Sequence, residues 1–426
     1  MPDGEEAAVK DEATGTSADL VPSGVPETVS EAVPEALPET APETRPGADR
    51  ETEGALSAGR GRLAREAWAN ALPPLVDQHG HGTLHGELGL GSFEAHLAAA
   101  VGSGTAAPPG TTFFDSWTGL AVRRWCPPLL GLEAHCAPVR YLARRRELGA
   151  YRASRLLLRG AGIGTFLLES APPGELTSAA EFATAADGPV HEVVRLEPLA
   201  REAADTSGSV DSFIRDTAEA LYAAAGRATA FAVGVTFCDE TPPDPREVRR
   251  AADRWLGGCV RERARLAEPA LLQHLVWCAV ATGLPVQLHC GDPQALAGFL
   301  RATAGGGTDL VLLPARPHHR RAAQLAAAFP HVYADAGPRP GETLAEAPFG
   351  KLLFSTGARA LPELYVTGAR LFARAMARLA AEWVADGVCT RPEARRIAAL
   401  VAAGTARRVY RLDEAGSGSG AAEVSG

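Results

Sequence analysis

The chain has 426 residues, 46% of them apolar, which is enough for one large globular domain or two ordinary ones. Its net charge of −9 is uneven, because residues 1–54 carry 14 acidic and three basic residues and the rest is close to neutral at +2. A nearly neutral body with dispersed arginines gives no indication of nucleic-acid binding. No apolar run approaches the length that a membrane-spanning helix needs.

The first 60 residues are rich in proline and glutamate, with recurring Val-Pro-Glu and Ala-Pro-Glu-Thr segments. Such a composition cannot bury a core, so a disordered acidic tail is predicted for 1–60. Residues 413–426 are predicted to form a flexible Gly/Ser-rich end. The opening residues do not follow the pattern of a secretory signal, and the seven cysteines are odd in number and scattered, without a Cys-x-x-Cys pair. Both features favour a cytoplasmic protein with reduced thiols.

Between these ends, strand-like apolar runs alternate with helical stretches. The predicted strands lie near 73–78, 163–168, 191–196, 230–237, 285–290, 309–313, 331–335 and 351–355. The predicted helical stretches include 211–225, 247–282, 294–303, 316–328 and 361–385, and a long helical insertion of about 84–158 follows the first strand. Eight alternating units predict an α/β fold, a (β/α)8 TIM barrel over residues 61–412. A doubly wound sheet is the alternative, but no Gly-x-Gly-x-x-Gly follows the first strand.

Histidines stand at the ends of two predicted strands. His79 and His81 close the first strand in VDQHGHG, and the i, i+2 spacing puts both on one face of a strand. His289 closes the fifth strand in PVQLHC. Because the active sites of TIM barrels lie at the carboxyl ends of the strands, these three imidazoles are candidate ligands of one divalent metal ion, with zinc as the expected ion.

The same stretches resemble the amidohydrolase superfamily, and in particular the amidohydrolase-related group similar to the N-terminal half of FluG-type proteins. The matching blocks, in order along the chain, are 76–82 (VDQHGHG), 123–130 (RRWCPPLL), 141–149 (YLARRRELG), 194–197 (VRLE), 285–289 (PVQLH), 319–320 (HR), 349–356 (FGKLLFST), 361–365 (LPELY) and 406–410 (ARRVY). The resemblance implies a barrel in which histidines of strands 1 and 5 bind a metal. It also implies a further histidine after strand 6 and an aspartate after strand 8 that accepts a proton from the attacking water.

The sequence departs from the family pattern at both of those last positions. Pro314 stands where the family has the strand 6 histidine, and Gly357 follows Phe-Ser-Thr where the family has the strand 8 aspartate. Three groups are candidates for the missing acid–base role: Asp335 at the end of strand 7, Asp292 near His289, and His319, which matches a family histidine. Capping of the next segment is the alternative role for both aspartates. Glu169, at the end of strand 2, is a further candidate carboxylate.

Two functional hypotheses follow from these observations. In the first, the protein is a divergent metal-dependent hydrolase that cleaves an amide-type C–N bond of a small molecule, with His79, His81 and His289 holding the ion. In the second, it is a catalytically impaired pseudoenzyme that serves as a ligand-binding or partner module, because Pro314 and Gly357 replace the strand 6 histidine and the strand 8 aspartate of the family. In the first case, the expected partner is a small-molecule substrate, and no binding to nucleic acid or to a membrane is expected. A homo-oligomer is compatible with either hypothesis.

Overall fold

The structure is a computed structural model, and it describes residues 72–102, 107–170, 174, 176–258 and 266–413. The predicted acidic tail and all but the first residue of the predicted C-terminal end lie outside the described residues. No helix within these ranges is long and apolar enough to cross a membrane. The six cysteines within the same ranges are free thiols.

Eight parallel strands form one sheet in chain order, which confirms the predicted (β/α)8 barrel. The strands are β1 Leu75–His81, β2 Ile163–Glu169, β3 Val190–Arg195, β4 Ala230–Val235, β5 Val286–Cys290, β6 Leu310–Pro314, β7 Val332–Asp335 and β8 Leu352–Leu353. Backbone hydrogen bonds connect the last strand to the first. The Gln78 N–H donates to the Phe354 carbonyl (3.1 Å), and the Gly357 N–H donates to the His79 carbonyl (3.0 Å).

Helices connect the strands, as parallel strands require. Between β1 and β2 lie α1 Leu90–Ala100, α2 Trp117–Leu129, α3 Pro138–Leu148 and α4 Ala150–Gly160. The next connections contain α5 Ala179–Ala186, α6 Leu196–Thr206, α7 Val210–Ala225, α8 Pro245–Gly257, α9 Pro269–Ala281, α10 Ala297–Ala302, α11 His319–Ala328 and α12 Gly341–Leu344. After β8 come α13 Pro362–Ala385, α14 Arg391–Ala399 and α15 Thr405–Val409.

The interior of the barrel is filled by side chains from the strands and from the C-terminal helix α15. Residues such as Val76 and Leu353 pack there against Tyr410, which follows α15. The Tyr410 hydroxyl donates to Gln78 Oε1 (2.7 Å) and accepts from Gln287 Nε2 (2.9 Å). Buried polar groups of this kind are stable only when they are hydrogen-bonded, so this network ties α15 to β1 and β5.

A second core packs the helices between β1 and β2 against α13. Glu363, on α13, is completely buried, and it accepts a hydrogen bond from the Tyr141 hydroxyl (2.7 Å). Arg145 Nε lies 3.1 Å from the same carboxylate. Both partners belong to α3, so this buried ion pair fixes α3 to the helix that follows β8.

Candidate functional site

Strand β1 carries two of the predicted ligands to the mouth of the barrel. Close packing requires the glycine between them, because a Cβ on Gly80 would lie 2.6 Å from the Tyr365 hydroxyl. That hydroxyl donates a hydrogen bond to the His81 carbonyl. The pairing of β1 with β2 is irregular between Asp77 and Gly80, and an irregularity of this kind re-aims side chains along a strand. The local backbone, and not spacing alone, therefore decides where each imidazole points.

The structure brings His79, Glu169 and His289 together at the ends of β1, β2 and β5. One ligand atom from each lies within 4.8 Å of the others. His289 Nε2 is 2.8 Å from Glu169 Oε2, and His79 Nδ1 is 3.9 Å from the same oxygen. The His79 and His289 rings are 4.8 Å apart, centroid to centroid. This cluster is hereafter called the His/Glu/His cluster.

The cluster differs from the predicted ligand set of His79, His81 and His289. Glu169 supplies the third donor, and His81 lies beside the cluster, with its ring centroid 5.0 Å from that of His79. Glu169 comes from β2, so the set of donors depends on the neighbouring strand and not on the spacing within β1 alone. His81 still lines the same cavity as His79 and His289.

The residues of the cluster fit a divalent metal ion. Burial, followed by the charge of His289, lowers the pKa of His79 well below its usual value, and burial lowers the pKa of His81 to about 4. Both imidazoles are therefore neutral at neutral pH, the state in which histidine binds metals. His79 Nδ1 is buried and has no hydrogen-bond partner among the described residues. A buried polar atom without a partner is costly, and a metal ion would satisfy it.

Glu169 is held ionised by its neighbours. Burial would raise its pKa, but the hydrogen bond and the charge of His289, followed by the charges of His81 and His79, hold the pKa of Glu169 below its usual value. Its second oxygen, Oε1, accepts a hydrogen bond from Arg195 at the end of β3 (2.6 Å). Arg195 also forms two hydrogen bonds of 3.1 Å to Glu197, and Glu197 accepts from the Gly234 N–H (2.8 Å). One carboxylate oxygen of Glu169 is thus fixed by an arginine, and the other faces the histidines.

Two of the predicted acid–base residues face the same cavity. Asp335 ends β7 and is buried, and burial raises the pKa of its carboxyl while the charge of His319 opposes that increase. Gln78 Nε2 donates to Asp335 Oδ1 (3.3 Å) and orients it. His319 begins α11, and both side chains approach Gly337, where a Cβ would lie 3.6 Å from Asp335 Oδ2 and 3.9 Å from His319 Nε2.

The third acid–base candidate, Asp292, is not brought to the site. It is exposed, and its Oδ1 accepts the Gln294 backbone N–H (3.0 Å) at the start of the 3-10 helix Pro293–Leu296. Asp292 therefore caps the segment after β5, which is the alternative role considered from sequence. It does not belong to the residues that line the cavity.

The two positions that depart from the family pattern both line the cavity. Pro314 ends β6 and offers no ligand atom. Gly357 adopts a left-handed conformation with φ +59°, and a Cβ there would meet nothing within 4 Å. The preceding residue, Thr356, donates its backbone N–H (2.8 Å) and its hydroxyl (2.5 Å) to the buried carboxylate of Asp77. The segment after β8 is therefore held in place without a carboxylate of its own.

The cluster opens into a cavity of about 1080 Å³ at the C-terminal ends of the strands. His79, His81, His289, His319 and Asp335 line it. This volume is sufficient for a drug-sized ligand. The chemistry-bearing residues of the barrel therefore face a space large enough for a ligand.

Sequence reasoning did not assign a role to Arg195, and it ranked Glu169 below the aspartates. Arg195 was visible within the VRLE block at a strand end, the same kind of position that identified the histidines. Glu169 and His289 are 120 residues apart, and only the closed barrel brings them within hydrogen-bond distance.

Comparisons with known proteins show where the fold occurs. No protein-family model matches the sequence, and no curated protein matches it. Among solved structures, the chain is similar to a protein from Lactobacillus casei whose description as a metal-dependent hydrolase is provisional. The TM-score is 0.65 at 19% identity, over 80% of this chain and 96% of that one. It is also similar to a uronate isomerase from Thermotoga maritima (TM-score 0.57, 15% identity, 82% and 97% covered). A glucuronate isomerase from Caulobacter crescentus gives a TM-score of 0.57 at 18% identity, with 83% and 95% covered.

These similarities establish the fold. All three neighbours are covered almost completely, so the described barrel corresponds to their whole chains and not to a fragment of them. At these identities a shared barrel does not transfer an activity, because unrelated chemistries use the same fold. The function has to be argued from the site.

Proposed function

We propose that this protein is a metal-dependent hydrolase of the amidohydrolase superfamily that cleaves an amide-type C–N bond in a small molecule. The observation that carries the proposal is the His/Glu/His cluster, in which His79 Nδ1, buried without a partner, faces a carboxylate and a second imidazole at the floor of a large cavity. The fold shared with a provisionally described metal-dependent hydrolase supports it.

Two imidazoles and one carboxylate form a donor set that suits zinc and other borderline divalent ions. When bound, such an ion supplies an activated water and polarises the carbonyl of the substrate. His79 and His289 would donate nitrogen, and Glu169 would donate the oxygen that Arg195 leaves available. His81 lies close enough to the cluster to contact either the ion or the substrate.

Asp335 is the proposed general base. Burial raises the pKa of its carboxyl, and a carboxylate with a raised pKa is a stronger proton acceptor near neutral pH. In the proposed reaction Asp335 takes the proton of the attacking water, and Gln78 keeps its carboxylate directed at the cavity. His319 is proposed to stabilise the ionised carboxylate and to contact the substrate. These residues compensate for the aspartate that Gly357 replaces.

The alternative of a barrel that serves only as a binding or partner module has less support. It was based on the two ligands missing at Pro314 and Gly357. Glu169 offers a third donor beside His79 and His289, and Asp335 offers a buried carboxylate at the cavity. The same proposal includes a small-molecule substrate and a cytoplasmic location, and it is compatible with a homo-oligomer.

Turnover assays test the proposed function. The full chain is stripped of metal and reloaded with zinc or another divalent ion. It is then incubated with a panel of small amides and, separately, with glucuronate to detect isomerase activity. Hydrolysis that depends on the added ion and is lost in His289→Ala is the expected result. The exposed His85→Ala variant serves as the control and should retain activity. Turnover independent of the ion, or isomerisation of glucuronate in place of hydrolysis, would contradict the proposal.

A further inference from the structure

The lining of the cavity carries an excess of positive charge. Three arginines line it, one after each of the last three strands: Arg316 after β6, Arg339 after β7 and Arg359 after β8. Asp335 is the one carboxylate among the described residues that line the same space. Because the C-terminal ends of parallel strands meet at one edge of a barrel, these three loops face the entrance through which a substrate reaches the histidines.

Arg316 and Arg339 are not neutralised by acidic side chains. Neither has an ion-pair partner within the part of the chain that the structure describes. Burial, followed by the charge of Arg316, lowers the pKa of Arg339, so the two guanidinium groups repel each other. Arginines on the outside of the barrel are arranged differently: Arg320 contacts Glu346 (2.6 Å), and Arg254 contacts Glu268 (2.7 Å).

Both arginines are exposed side chains that line the mouth of the cavity, so their positive charges add up there. An anion between them would remove this repulsion and satisfy the planar donors of both groups. Arginine is especially suited to carboxylate and phosphate, because its fork of N–H groups can bind two oxygens at once. An arginine–oxyanion contact near an entrance also attracts charged ligands and orients them on arrival.

We propose that Arg316 and Arg339 form a binding site for an oxyanion, and that the natural substrate carries a carboxylate or phosphate group away from the bond that reacts. This inference rests on the proposed function only in taking the same cavity as the substrate site. The anionic group is held at the entrance by the two arginines, while the reacting carbon lies near the His/Glu/His cluster.

Isothermal titration calorimetry on the full chain at low ionic strength tests the site. The probes are glutarate, glycerol phosphate and the neutral glutaramide. Glutarate or glycerol phosphate should bind, and the tighter of the two identifies the oxyanion, whereas glutaramide should not bind measurably. In Arg316→Gln/Arg339→Gln the dissociation constant should rise at least about tenfold, because charge-assisted hydrogen bonds are lost. The single variant Arg339→Gln should give a smaller increase.

The double variant Arg246→Gln/Arg321→Gln is the matched control, because it removes the same net charge at exposed positions that do not line the cavity. It should bind the anions as the wild type does. Far-UV circular dichroism and bound metal are measured for every variant, and both should be unchanged by the arginine substitutions. Absence of anion binding to the wild type, equal binding of glutaramide, or equal weakening in the control would overturn the inference and leave the proposed function intact. Anion binding that is lost in His289→Ala but kept in Arg316→Gln/Arg339→Gln would overturn it as well.

Discussion

Glu169 contacts both the arginine and the histidines of the site. Its Oε1 is held by Arg195 and its Oε2 faces His289, so the carboxylate is shared between a permanent cation and a candidate metal position. A carboxylate whose charge is partly neutralised binds a divalent ion less tightly than a free one. We therefore expect an exchangeable ion and not a permanently trapped one. Arg195 also fixes the orientation of the carboxylate, as the partners of metal ligands usually do.

Asp335→Asn tests the proposed base. Because burial raises the pKa of Asp335, the acidic limb of the pH–rate profile should lie above the usual aspartate value of about 4. Activity is present above this raised pKa and is lost as the pH falls through it, since a base must be unprotonated. In Asp335→Asn we expect kcat to fall by about 10²–10⁴-fold and the limb to disappear.

The comparison variant is Asp292→Asn, which removes an exposed capping carboxylate outside the cavity. Its pH–rate profile should keep the position of the wild-type acidic limb. An Asp335→Asn protein with wild-type kcat and an unchanged limb would show that another group accepts the proton.

The sequence identified individual residues better than it identified their contacts. His79, His81 and His289 could be placed at the barrel mouth because each ends an apolar run. Whether His81 or Glu169 completes the cluster depends on how β1, β2 and β5 lie in the closed barrel, for which the sequence provides no clear signal. Asp335 was identified because it ends a predicted strand. Asp292 was also expected at the site, but it lies two residues beyond β5, and its side chain caps the following 3-10 helix instead.

At the scale of elements, the segment after β8 has a glycine, Gly357, where the resemblance implies an aspartate. Gly357 has φ +59°, a region that aspartate tolerates better than most residues, and a Cβ there has open space. Gly357→Asp should therefore fold, and it should add a carboxylate to a cavity that already holds the cluster.

The metal dissociation constant of Gly357→Asp should be at least about tenfold lower than that of the wild type, which corresponds to about 1.4 kcal/mol. Gly357→Ala is the control, because it introduces the same backbone strain without a ligand. Competition with a fluorescent chelator measures both variants. Equal affinities for the two variants would mean that the new carboxylate does not reach the ion.

The C-terminal helix α15 is the second element with a testable role. Tyr410 closes the barrel interior through hydrogen bonds with Gln78 and Gln287, both completely buried. Tyr410→Phe removes the hydroxyl and leaves these amides without one partner each. The free energy of unfolding should fall by about 1–3 kcal/mol, the cost of an unsatisfied buried polar group.

Urea denaturation measures the effect of Tyr410→Phe. Tyr151→Phe is the matched control, because the side chain of Tyr151 is 56% exposed and its loss should change stability by less than about 0.5 kcal/mol. A Tyr410→Phe protein as stable as the control would show that the network contributes nothing to the attachment of α15.

For the whole molecule, the fold could be predicted from the sequence because its signal is repeated. Eight apolar runs separated by helical stretches point to the same architecture, so an error at one boundary does not change the conclusion. Strand β8 shows this tolerance, since five residues were predicted and Leu352–Leu353 alone form the strand. The site lacks that redundancy. It depends on single side chains from distant positions, such as Glu169 and His289, which only barrel closure brings together.

The ion predicted at the His/Glu/His cluster is the central claim, and metal content tests it most directly. The full chain is dialysed against a metal-free buffer containing zinc at a low, defined concentration, and bound metal is then measured by inductively coupled plasma mass spectrometry. We expect about one equivalent of a divalent ion in the wild type and in the exposed control His85→Ala, as a mononuclear site requires. In His79→Ala/His289→Ala, which should remain folded by circular dichroism, we expect the ion to be absent. A substoichiometric metal content in the wild type that is unchanged in the double variant would contradict the account.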